Sequence, residues 1–143
     1  IDRRLRPLIR KGFDQGNLNL NHLNDFESFF RVFSDLIPSE KPALLHGDLW
    51  SGNLLCGLGQ KPVFIDPAIY YGHREIDLSM TQLFGGFNSA YLDKYNELFP
   101  LEPGFENRIQ IHNLYPNLVH LLLFGTSYFS GIERVIKKYA SKG

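Results

Sequence analysis

Apolar residues recur at helical spacing twice in the first third of the chain. Leu5, Leu8, Ile9 and Phe13 mark one amphipathic segment with basic residues between them, and the stretch from Gly12 to Gly16 breaks it. Phe26, Phe29, Phe30, Phe33, Leu36 and Ile37 mark a second, stopped by Pro38. Between them, Asn17 to Asn24 reads as a polar loop with Asn21 and Asn24 as candidate helix N-caps. The period then shortens. Ala43 to Leu45 and Leu54 to Cys56 read as short strands, Gly57-Leu58-Gly59-Gln60 as a hairpin turn, and Val63 to Ile65 as a returning strand. After Pro67 the pattern is mostly helical: Ile76 to Phe84, about Ser89 to Leu98, Phe105 to about Tyr128, and Gly131 to Tyr139. Pro116 is expected to kink or divide the third of these. The expectation is a mainly helical α+β fold, one domain over residues 1–143, carrying one small β-ribbon.

Composition narrows the function classes. Lys+Arg and Asp+Glu are balanced at 15 each, so no broad positive field gathers nucleic acid or an anionic membrane. The longest strongly apolar stretch, Leu118 to Gly125, is interrupted by His120 and is too short to span a bilayer. A single cysteine, Cys56, cannot form an internal disulfide, which suits a reducing cytoplasm.

The unusual residues crowd around the ribbon. The run LLHGDLWSGNLL, residues 44–55, holds His46-x-Asp48-x4-Asn53, and the strand pair after it ends at Asp66. Gly, Asp, Asn and Ser are also what any loop between strands prefers. Yet a His-Gly-Asp-x4-Asn string arises by composition alone in only about one chain in a thousand of this length. Phosphoryl transfer demands these residue types at this spacing. A carboxylate, Asp48, orients the acceptor hydroxyl and accepts its proton, while hard oxygen ligands on two approaching loops, Asn53 and Asp66, suit Mg²⁺. A hairpin running from Leu54 to Ile65 returns on itself and so brings its two ends together. His46 reads as a structural residue, hydrogen-bonded to neighbouring backbone beneath the loop.

This run, followed by VFIDPAIYYGHREIDLSMTQLFGGF and the tail HNLYPNLVHLLLFGTSYFSG, resembles the fructosamine kinase (ketosamine kinase) family. That family shares a protein-kinase-like fold with aminoglycoside phosphotransferases and choline kinases. The resemblance implies an ATP- and Mg²⁺-dependent cytoplasmic enzyme that phosphorylates a sugar hydroxyl of a sugar–amine adduct, small or carried on a glycated protein lysine. Neither nucleic acid nor membrane is an expected partner. Carried over, Asp48 is the catalytic base, Asn53 and Asp66 are metal ligands, and Asp77 braces the catalytic loop. Trp50, within that loop, is either core packing or a wall for the sugar adduct. Arg74 and Glu75 are expected to pair with each other at the surface. Gly47 stands where many protein kinases carry an Arg, and Pro67 follows Asp66 where they have Phe-Gly, which favours a small-molecule acceptor.

No Gly-rich phosphate loop, strand Lys or partner helix Glu precedes residue 46. The chain therefore reads as the C-terminal lobe of such a kinase without its nucleotide-clamping N-terminal lobe, inactive alone and prone to self-association through the face that lobe would cover. Two alternatives stay open: another small-molecule phosphotransferase, of the aminoglycoside or choline kinase kind, and a non-catalytic binding module.

Overall fold

The computed structural model describes residues 1–140, which divide into two compact units. One comprises residues 1–38 together with the chain from 113 onward; the other comprises residues 39–112.

The first unit is helical. Leu5, Ile9 and Gly12 form the buried stripe of α1 (Leu5–Asp14), which ends where Gly16 takes the left-handed conformation (φ 75°). Helix α2 (Leu20–Leu36) begins earlier than the phenylalanine periodicity suggests. Its N-cap is Asn19, neither Asn21 nor Asn24. The Asn19 side chain accepts from the His22 N–H at 3.0 Å, and His22 Nδ1 accepts from the Asn19 N–H at 3.2 Å. Phe26 and Phe29 fill the core from this helix. The long C-terminal apolar run is two helices. It breaks at Asn113, between α5 (Phe105–His112, in the other unit) and α6 (Leu114–Phe124). Pro116 lies in the first turn of α6, where no backbone N–H is required, so it starts a helix instead of kinking one. Helix α7 (Phe129–Ala140) presents Ile132, Val135, Ile136 and Tyr139 to the core; α2 packs on α7 and α1 on α6.

The second unit carries two ribbons where one was expected. Strands β1 (Ala43–Leu45) and β4 (Tyr70–Gly72) pair antiparallel with Leu44 opposite Tyr71. Strands β2 (Leu54–Cys56) and β3 (Pro62–Phe64) form the second ribbon, with Leu55 opposite Val63. The turn between β2 and β3 is tight, with Gly59 at φ 69°. Helices α3 (Glu75–Leu83) and α4 (Ser89–Leu98) follow, and α3 packs against α5. Among the described residues no helix is long and apolar enough to cross a membrane.

Candidate active site

The loop of residues 46–53 runs from β1 to β2 and is held by a set of internal hydrogen bonds. Asp48 is half-buried. The buried Asn53 side chain donates from Nδ2 to the Asp48 carbonyl oxygen (2.9 Å) and to its carboxylate Oδ2 (3.0 Å). The loop closes on itself through Trp50 N–H to Asp48 O (3.1 Å) and Asn53 N–H to Trp50 O (3.0 Å). With its NH₂ spent on Asp48, Asn53 keeps the amide oxygen as its remaining side-chain acceptor, the atom that could ligate a cation.

Asp66 reaches this loop through the β2–β3 hairpin. The N–H of Ile65 donates to the Asn53 carbonyl at 3.0 Å, so Asp66 follows directly after a residue hydrogen-bonded to Asn53. Asp66 is exposed and sits at φ 50°, a left-handed conformation that Asp tolerates better than most residues. The donor set, an amide oxygen and an exposed carboxylate on adjoining segments, fits a hard divalent cation that keeps part of its water shell.

His46 ties the two segments together. Its Nδ1 accepts from the Asp48 N–H (3.3 Å), so Nε2 carries the proton and donates to the Ile65 carbonyl (3.0 Å); its own carbonyl accepts from the Ala68 N–H (2.8 Å). Asp77, in the first turn of α3, holds the start of the loop. Its Oδ2 accepts from the His46 N–H at 2.6 Å and its Oδ1 from the Gly47 N–H at 2.9 Å. Gly47 is required here: φ is 81°, and a β-carbon would lie 2.1 Å from the Ala68 carbonyl oxygen. The Trp50 indole is exposed over 38% of its surface, with its edge toward Phe84 at 6.0 Å between centroids. A β-carbon at Gly52 would come within 2.2 Å of that ring, so the indole lies directly against the loop backbone.

Arg74 and Glu75 do not pair with each other. Glu75 is buried at 1% exposure and accepts from Arg108 Nε (2.7 Å) and Nη2 (2.6 Å), with His112 Nε2 at 3.1 Å. Burial pushes its carboxyl up, but the hydrogen bonds from Arg108 and His112 outweigh that and bring it down to about 2. Arg74 pairs with Glu40. A surface pair of neighbours was the wrong reading because successive residues on a helix face different directions. His73, Glu75 and His112 place three ligand-type atoms within 4.8 Å of one another, but the carboxylate already carries the Arg108 cation, which opposes a metal there.

The model of the fructosamine kinase family matches residues 3–142. The chain belongs to the fructosamine kinase family. Among family relatives, a probable ketoamine kinase of Enterococcus faecium is 47% identical over 110 residues, covering 76% of this chain and 40% of that protein. A chloroplastic protein-ribulosamine 3-kinase of rice (Oryza sativa subsp. japonica) is 43% identical over 99 residues, covering 69% of this chain and 29% of that protein. A solved fructosamine-3-kinase-like structure from Thermobifida fusca superposes with a TM-score of 0.86 at 38% identity, covering 98% of this chain and 49% of that one. The mainly helical fold with small antiparallel ribbons is thus one that this family shares. The chain spans less than half the length of each of these three proteins.

Proposed function

We propose that this chain is the kinase-like catalytic lobe of an ATP-dependent ketoamine kinase that phosphorylates a sugar hydroxyl of a fructosamine-type adduct. The observation that carries the reading is the double hold of Asn53: its side chain fixes the Asp48 carboxylate while its backbone is bonded to the residue before Asp66. In this reading Asp48 orients the acceptor hydroxyl and takes its proton as the oxygen bonds to the γ-phosphorus of ATP. The bond from that phosphorus to the β,γ-bridging oxygen breaks, and ADP leaves with the electron pair. Asn53 and Asp66 would hold Mg²⁺, which would supply charge neutralisation at the phosphates. Trp50 offers an apolar face to the sugar, and Asp77 with His46 keeps the loop in place.

The sequence before residue 46 holds no Gly-rich phosphate loop and no strand Lys of the kind that clamps nucleotide phosphates. The full-length protein should release ADP in a coupled assay with a fructosamine substrate, and the acceptor should gain the mass of one phosphoryl group. The 143-residue chain alone should show neither. It should also self-associate in sedimentation runs, because Leu44, Leu55, Val63, Phe64 and Tyr71 of the ribbons stand exposed. A full-length protein that phosphorylates no ketoamine overturns the reading, and steady turnover by residues 1–143 overturns the need for a clamp.

Metal dependence supplies a second test. Asp66→Ala and Asn53→Ala should each raise the Mg²⁺ concentration needed for half-maximal rate, Asp66→Ala more, because it removes a charged ligand from a hard cation. Initial rates titrated against free Mg²⁺ read this directly. An unchanged Mg²⁺ response in both variants removes these residues from the metal site.

A further inference from the structure

Glu40 precedes β1 by three residues, yet its carboxylate is bound 34 residues along the chain, at the start of α3. Oε1 accepts from the backbone N–H of Arg74 at 2.8 Å, and Oε2 accepts from Arg74 Nε at 3.0 Å. Arg74 is the residue on which α3 starts, and its own side chain does not cap that helix; the neighbouring His73 Nδ1 lies 3.3 Å from the Glu75 N–H and 3.2 Å from Glu40 Oε1. Glu40 therefore adds, from 34 residues away, an acceptor for the Arg74 N–H and a negative charge at the helix N-terminus. The rest of the Arg74 guanidinium is spent on the chain after α4, with Nη1 donating to the Phe99 carbonyl (3.0 Å) and Nη2 to the Pro100 carbonyl (2.6 Å).

Three residues along α3, on the same side of the helix, Asp77 grips the amides of His46 and Gly47. Segment 40–47, which contains β1, is thus fastened at both ends to one turn of α3. Asp48 is the next residue. We infer that Glu40 and Arg74 are a positioning pair for the catalytic loop: they fix β1 against α3 and so set where the Asp48 carboxylate stands. This rests on the kinase reading above. Neither residue is placed at the reacting atoms.

A purely stabilising role and a positioning role leave different traces. Both side chains are more than three-quarters buried, at 22% and 23% exposure, so losing the pair also costs stability, and the two roles are told apart by measuring Tm beside kcat. A base displaced by a fraction of an ångström, in contrast, costs rate steeply. In the full-length protein, assayed well below the variant's Tm, Glu40→Ala should lower kcat about tenfold or more and leave KM for ATP and for the ketoamine within about threefold. Arg74→Lys should not rescue, since one ammonium cannot reproduce the three directed donations of the guanidinium. Glu40→Ala and Arg74→Ala combined should cost no more than the larger single effect.

Hydrogen–deuterium exchange over residues 43–53 gives a readout independent of turnover. Exchange there should quicken severalfold in Glu40→Ala while the helices of the first unit keep their rates. Unchanged loop exchange, or a kcat that is unchanged well below the variant's Tm, overturns the inference. Quickened loop exchange in a protein whose wild type phosphorylates no ketoamine supports the fastening and sinks the kinase reading instead.

Discussion

Asp48→Asn in the full-length protein is expected to slow turnover about 10²–10⁴-fold while leaving nucleotide affinity unchanged, the usual worth of a positioned general base. The substitution is close to isosteric and keeps an oxygen that can accept from Asn53 Nδ2, now at 3.0 Å from the carboxylate, so the loop should hold its shape. Only the capacity to take a proton is lost. Calorimetry with Mg-ATP should give the wild-type Kd, because the proposed role of Asp48 is toward the acceptor. Near-wild-type turnover would remove Asp48 from the chemistry. A large loss of ATP affinity would show that it serves the metal or the nucleotide.

The second large effect is on stability. Arg108→Ala leaves the Glu75 carboxylate, 1% exposed, without the two donations that offset its burial, and with the His112 contact at 3.1 Å in their place. Stripping one partner from a buried pair costs about 3–5 kcal/mol, a large share of a domain's stability. Urea denaturation at pH 7 should show the loss as a lower midpoint. The same pair makes the wild type acid-sensitive. Glu75 falls from an ordinary 4.5 to about 2 on folding, so its contribution is complete above pH 4.5 and disappears as pH drops toward 2. On that span the contribution is about 3 kcal/mol. Glu75→Gln should be less stable at pH 7 and lose less between pH 5 and pH 3. An identical acid slope in the variant and the wild type would show that the Glu75 carboxylate is not what titrates.

How much of this was legible in the chain depended on how local each signal was. Asp48, Asn53 and Asp66 stood out because a loop and a hairpin need no distant partner: the spacing itself brings Ile65 back to Asn53. Strand β4 was missed for the opposite reason. Tyr70-Tyr71-Gly72 shows no alternation of its own, and its partner β1 lies 27 residues upstream at the Leu44–Tyr71 pair. The start of α2 was misplaced because an Asn-rich stretch offers several caps, and Asn19 prevails only because His22 can answer its hydrogen bond. Glu75 looked like a surface acid until the fold supplied Arg108 and His112, 33 and 37 residues away. Nothing in the local pattern announces such partners. The Glu40–Arg74 pair, 34 residues apart, was invisible for the same reason.

The left-handed backbone at Gly47 reaches beyond geometry. With the Ala68 carbonyl oxygen occupying the place of a β-carbon, no side chain of any kind can be carried there. An arginine at that site would let the loop's readiness depend on a charge added elsewhere after synthesis. Here that lever is barred by the backbone itself. The loop takes its observed path when the unit folds, with no side chain at position 47 for a distant charge to pull on.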